Sequence, residues 1–361
     1  MQQIPILEGQ IRPDETETAA PAPRRRRMWY VVLVFCFFAA VIPESIATWS
    51  TSVAKVVGHP ADLLFVILFY GLADLLVREA MVRRHLGWVS LILFGIAFGF
   101  LNEGVVAGTW YTVAYGGYIY IGQVNYAWAV ALTVFHTFIS VIIPLAFIET
   151  LFPSRAGLPL LRRRGIVISA TVFLLLTSVF LFVPSYRPYR IAVFALALTL
   201  ALIALRLPAA RPRILSATPP PGFWRLRWTG FFASVTYFVL ILIVPPITLK
   251  LAGPYALAAQ YVDIVLFILF SAFTLAIGRG WTARAGWSPR HTLALMTGVL
   301  MFSILITLLP PVWSTLEPLA TLPFLLLLIL LNIRLRRRDR TRTMTAATSD
   351  TGAETPAIAS V

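Results

Sequence analysis

The run MWYVVLVFCFFAAV, residues 28–41, follows four consecutive arginines, Arg24–Arg27, and contains no charged side chain. Carried on to residue 48 it is long enough to cross the roughly 30 Å hydrocarbon core of a bilayer, which takes about 20 helical residues. A basic flank and an apolar core also mark secretory signals. Here a long polar segment precedes the run and no small-residue cleavage site follows it, so the stretch is expected to remain as a first membrane helix. The single cysteine, Cys36, lies inside it and has no disulfide partner in the chain.

Similar runs recur as far as Ile333. Of the 361 residues, 59% are hydrophobic and 12% charged, against about 25% charged in soluble domains. The runs do not alternate as barrel strands do. Because lipid offers no partners for backbone polar groups, the expected fold class is all-α, a polytopic transmembrane helix bundle of about ten spans. The spans are expected at 28–48, 61–82, 86–108, 125–151, 165–184, 189–206, 228–248, 256–278, 291–309 and 315–334.

The formal net charge of +15 invites a nucleic-acid partner, but the basic residues sit in short segments between apolar runs, which is the pattern of topology determinants. Nucleic acid is therefore excluded as a partner. With the N-terminus inside, 26 of the 30 basic residues fall on the cytoplasmic side, and Lys55, Arg187, Arg190 and Lys250 fall outside. One span more or fewer scrambles that asymmetry, so both termini are expected in the cytoplasm. All but Lys55 and Lys250 of the basic residues are arginine, which points to a GC-rich bacterial genome and hence to a bacterial cytoplasmic (inner) membrane.

The chain divides into a disordered cytoplasmic N-terminal tail (1–27), a bundle of six spans (28–206), a Pro/Arg-rich cytoplasmic loop (207–227), a bundle of four spans (228–334) and a basic, then disordered tail (335–361). The loop RLPAARPRILSATPPPGFWRLR, residues 206–227, is a candidate hinge. The run RLRRRDRTR, residues 334–342, is expected against anionic lipid headgroups at the cytoplasmic face of the bilayer. No protein partner is implied.

An ionisable group deep in a membrane costs about 2.5–3.5 kcal/mol on insertion scales, so each needs a partner or a role. Asp74 and Arg78 are four apart on the second helix, as are Glu79 and Arg83. At that spacing side chains meet, so both acids are expected to be neutralised locally. Glu149, Glu317, Asp62, His85 and His291 fall near span ends and are expected to be hydrated. Glu103, in the stretch GFLNEGVVAG (99–108), has no basic residue three or four positions away. Counting 1.5 Å per residue puts Glu103 and Glu44 in the outer part of the membrane, with His136 near the midplane. Glu44, Asn102 and Glu103 thus form a candidate outer polar layer above His136. Gly95 with Gly99, and Gly104 with Gly108, are four apart and permit close helix approach.

The outer segment TWYTVAYGGYIYIGQVNYAW, residues 109–128, carries seven aromatics and no charge. It suits an interfacial aromatic belt, or a short lid hairpin around YGGYIY. Gln260 and Asp263 share one face of the eighth helix, which makes Asp263 a further candidate for carrying a proton or cation.

The stretch NEGVVAG (102–108), with His136 33 positions after Glu103, resembles in degenerate form the Glu-Glu-x-x-x-Arg-Gly motif and first histidine of the CPBP intramembrane endopeptidases, the CAAX-protease and bacteriocin-processing family. That resemblance implies water activation by Glu103 and His136, and a metal at those two residues if the chemistry is retained. Asn102 stands in place of the first glutamate, Ala107 in place of the arginine, and Leu132 in place of an aromatic. In overall pattern the chain is more similar to uncharacterised multi-pass bacterial membrane proteins with an acidic residue and glycines in the third helix and a Phe-His pair, here Phe135 and His136, in the fourth. No phosphate-binding loop, His-Glu-x-x-His or Gly-x-Ser-x-Gly occurs, which argues against an ATP-driven pump or a soluble-type hydrolase. The expected activity is transporter-like or small-ligand-binding with a buried Glu/His site. The alternatives are a degenerate CPBP-like protease or pseudoenzyme, and a scaffold without a site. No cofactor is identified and enzymatic activity is left open.

Overall fold

A computed structural model describes residues 29–47, 59–112, 120–210, 215–308 and 318–351. Among them the chain forms ten long helices and no β-strand beyond two isolated bridges. They are α1 (Trp29–Ala47), α2 (Pro60–Arg84), α3 (Trp88–Val106), α4 (Tyr126–Leu151), α5 (Arg163–Phe182) and α6 (Arg187–Arg206). The rest are α7 (223–252), α8 (Ala256–Thr282), α9 (Pro289–Thr307) and α10 (Pro318–Thr351). Eight stretches are long and apolar enough to cross a membrane, one of them the 60-residue Phe223–Thr282 that contains α7 and α8. The protein is an all-α polytopic membrane bundle.

Helices α3 and α4 are its centre, with 67% and 72% of their apolar windows buried against 17% for α5 and for α6. One apolar core joins α1 through α6, around Phe35, Phe69, Phe94 and Phe173. A second joins Ile42 of α1 and Phe147 of α4 to Leu300 of α9 and Phe324 of α10, so packing runs across both groups of spans. Glycine sets the closest approach of α3 to α4: a Cβ on Gly95 would lie 2.7 Å from Thr137 Cγ2, and one on Gly99 3.0 Å from Thr133 Cα. Bulkier residues there would force the helices apart.

Contacts between loops sort them by end. Ala210 N–H donates to His85 O (2.7 Å), Ser216 N–H to Ala283 O (3.0 Å), and Arg78 Nη1–H to Leu158 O (2.9 Å). The turns after α2, α4, α6 and α8 therefore share one end of the bundle. At the other end Tyr111 stacks on Tyr186 with ring centroids 4.9 Å apart.

Two expectations are corrected. Arg78 does not neutralise Asp74: its Nε and Nη2 both lie 2.6 Å from Glu149 Oε1, and its fork also binds the carbonyls of Leu158 and Arg155. A carboxylate on another helix, together with two loop carbonyls, outcompetes the local neighbour. Asp74 is fully buried, and neither of its oxygens has a hydrogen-bond partner among the described residues. Glu149, expected to be hydrated, is buried as Arg78's partner. Helix α10 extends through Thr351, and no glycine or proline interrupts it after Pro323. The Glu79–Arg83 pair forms as expected, at 2.8 Å. Asp62 and His85 are exposed and His291 is half-buried. Glu317, the 1–27 tail and most of YGGYIY lie outside the described residues.

Candidate functional site

Helices α1, α3 and α4 change winding where their polar residues sit. Ile42–Ala47 of α1 carries Glu44, Phe100–Val106 of α3 carries Asn102 and Glu103, and a third stretch, His136–Ile142 of α4, begins with the histidine; all three are π-helical. In α4, Ile143 N–H reaches back five residues to Phe138 O, just ahead of Pro144. Proline has no N–H to donate and crowds the preceding turn, so the chain widens into the i to i−5 pattern before it. In α3 the corresponding bond runs from Ala107 N–H to Asn102 O at 2.7 Å. Such segments leave an extra residue in the turn and re-aim its side chain.

The re-aimed side chains meet. His136 Nε2 lies 2.7 Å from Glu103 Oε1. Asn102 Nδ2 lies 3.0 Å from the same imidazole nitrogen and donates to Tyr70 Oη at 2.7 Å. Tyr70 O–H in turn donates to Glu44 Oε1, and Thr109 O–H to Glu103 Oε2. Ser140 Oγ closes the far side of the ring, 2.8 Å from His136 Nδ1. A continuous polar network thus links α1, α2, α3 and α4, running from half-buried Glu44 to Glu103, which is only 8% exposed. Around it Phe98 and Phe135 turn their rings edge-on to His136, at 5.8 and 5.2 Å, and exclude water from the imidazole.

Two proton arrangements satisfy this geometry. With a proton on each ring nitrogen, His136 donates from Nε2 to ionised Glu103 and from Nδ1 to Ser140. With the Nε2 proton moved to the carboxyl, Glu103 donates to Nε2 while Nδ1 still donates to Ser140. The serine hydroxyl accepts in both arrangements. The site can therefore hold a proton on the acid or on the base without moving a heavy atom.

The C-terminal end of α3 is pinned by a second device. Arg190 of α6 donates from Nη1 to Val105 O and to Val106 O, the latter at 3.4 Å, carbonyls that a helix end leaves unsatisfied. Its Nη2 occupies the space that a Cβ on Gly108 would fill, and Gly108 has φ +68°. Tyr111 O–H donates to Gly104 O at 2.9 Å, and burial pushes that phenol up to about 12, so it remains a donor.

Of the residues singled out from sequence, Glu44, Asn102, Glu103 and His136 are brought together. Asp263 is buried on α8, and none of the hydrogen bonds just described reaches it. The depth count left Glu103 and His136 about 10 Å apart along untilted helices, and the glycine-mediated crossing with its π-helical turns removes that gap. Sequence reasoning missed Tyr70, Thr109 and Ser140. Ser140 could have been found from its place four residues after His136 on one face, whereas Tyr70 reads as an aromatic in an apolar run. Among the described residues no three His, Cys, Asp or Glu side chains are grouped to hold a metal.

The model of a family described as an uncharacterized membrane protein family matches residues 31–347. No curated protein and no solved structure shows a match to the chain.

Proposed function

The chain belongs to this uncharacterized membrane protein family, and we propose that it is a transporter-like protein in which Glu103 and His136 exchange a proton as a small polar solute binds or leaves. It sits in a bacterial cytoplasmic membrane, crosses it ten times with both termini inside, and rests its basic C-terminal segment on anionic headgroups. The observation that carries this reading is the 2.7 Å contact between Glu103 and His136, in a network that accommodates the proton on either group. Half-buried Glu44 is the entry to that network, and Tyr70 and Asn102 connect it to the imidazole. Asp263 on α8 serves as a second protonatable group outside the network.

The test is proton movement in liposomes containing the purified full chain and a pH-sensitive dye. Glu103→Gln, which keeps the volume and removes the charge, abolishes the flux while leaving the unfolding temperature within a few degrees of the parent. Undiminished flux in both Glu103→Gln and His136→Ala would falsify the assignment.

A hydrolytic reading of the CPBP kind draws on the same contact, since a carboxylate against an imidazole can activate water. It has less support, because among the described residues no three His, Cys, Asp or Glu side chains are grouped to hold a metal. Cleavage of a membrane peptide in detergent, with a stoichiometric metal lost in Glu103→Gln and His136→Ala, would favour it over transport.

A further inference from the structure

Helix α7 packs tightly along α9, where a Cβ on Gly230 would lie 2.6 Å from Leu295 O. Helix α8 packs instead on α4, with Phe267 joining the core that holds Phe135. Between α7 and α8 this leaves a cavity of about 560 Å³, closed on its inner side by α4 and α9. That volume is within the roughly 300–1,000 Å³ typical of ligand sites. Its wall is apolar, built from side chains such as Phe138, Phe232, Phe273 and Met296. Phe232 and Phe273 are 58% and 65% exposed, so the mouth faces outward from the bundle, into hydrocarbon when the protein is in a membrane. A void there forfeits dispersion contacts on every side, and the surrounding solvent that can restore them is lipid.

One end of the cavity is different. Arg225 lies in the first turn of α7 and Trp281 in the last turn of α8, and both line the cavity. This is the end where Ser216 pairs with the 283–285 turn, shared by the arginine-bearing loops. The first turn of α7 holds no acidic side chain, and none of the ion pairs among the described residues involves Arg225. A guanidinium that makes no ion pair among the described residues, at the end of an apolar cavity that an indole also lines, suits a lipid phosphate.

We propose that this cavity holds one acyl chain of an anionic phospholipid, with the headgroup phosphate bound by Arg225. The lipid enters sideways between Phe232 and Phe273, its hydrocarbon filling the apolar space and its charge remaining at the interface. The site lies on the face of α4 away from His136, since Phe135, Phe138 and Ile139 line it and the imidazole faces α3. It does not depend on the proton-exchange reading.

The experiment is native mass spectrometry of the full chain from mixed micelles of phosphatidylglycerol and phosphatidylcholine. The parent retains one phosphatidylglycerol in preference to phosphatidylcholine, and Arg225→Gln lowers that preference about fivefold, the effect of one basic residue near an anionic headgroup. Gly278→Leu lowers retention of both lipids. Gly278 lines the cavity, and nothing lies within 4 Å of the position its Cβ would take, so the added side chain fills the space without displacing a neighbour. An unfolding temperature for Gly278→Leu at or above the parent's shows that the fold is intact. Glu103→Gln leaves lipid retention unchanged. Equal retention of the two lipids by the parent, retention unaffected by both cavity variants, or a lipid-free dimer in which a second copy covers the mouth would each overturn the proposal.

Discussion

Arg78 on α2 holds Glu149 on α4, with Nε and Nη2 both 2.6 Å from one carboxylate oxygen, and both side chains are at most 3% exposed. The same guanidinium ties down the loop after α4 through the carbonyls of Leu158 and Arg155, at 2.9 and 3.0 Å. Arg78→Ala strands Glu149 as a buried charge and costs about 3–5 kcal/mol. Replacing both partners, as Arg78→Met with Glu149→Leu, costs much less than the single change, because nothing charged is left unpaired. Thermal unfolding in detergent measures the difference. Equal losses in the single and double variants would show that the pair contributes only packing.

Tyr70→Phe removes one hydroxyl that both accepts from Asn102 and donates to Glu44. The expected loss is about 1–3 kcal/mol of stability, since a buried amide and a carboxylate each lose a partner. Proton flux in liposomes falls about tenfold rather than to zero, because the Glu103–His136 contact itself remains. A flux equal to that of the parent would place Glu44 outside the working network.

Gly95→Leu forces α3 from α4, since even a Cβ would lie 2.7 Å from Thr137 Cγ2. Overpacking of this kind costs about 1–3 kcal/mol. It should also abolish flux, although Gly95 has no side chain to contribute to the site, because the 2.7 Å contact depends on that crossing. Retained activity in a destabilised protein would show that the pair tolerates separation.

The ten-span arrangement is tested at Ser216, whose backbone pairs with Ala283 and Ala285 at the end shared by the arginine-bearing loops. In a chain with Cys36 replaced, a cysteine at Ser216 reacts with a membrane-impermeant reagent only after the cells are opened. Reaction in intact cells would invert or break the topology.

The helices could be read from the sequence because each apolar run has an arginine or a proline at one end at least, so length and charge sufficed. That Glu44, Asn102, Glu103 and His136 belong together could be read because a carboxylate such as Glu103 without a local base stands out in lipid. Arg78's partner could not be read: the i, i+4 rule sees only Asp74, while Glu149 becomes a competitor only once α2 and α4 are side by side, 71 positions apart in sequence. Tyr70 was hidden for a related reason, since its ring belongs to the apolar face and only its hydroxyl belongs to the site. The π-helical turns leave no trace in the pattern, because helices that are apolar on nearly every face do not reveal a shift in phase.

Those turns have a consequence for how the chain can change in length. Each holds one residue more than an α-helical turn would, so a single deletion at Val105 would return α3 to regular winding and improve it as a helix. The wide turn absorbs the extra residue, so the chain beyond the deletion would keep its phase while the side chains inside the turn would be re-aimed. Asn102 and Glu103 would leave His136, although no side chain of the network had been substituted. Insertions and deletions of one residue near Glu44, Glu103 and His136 should therefore be more damaging to activity than most substitutions there, and less damaging to helix formation.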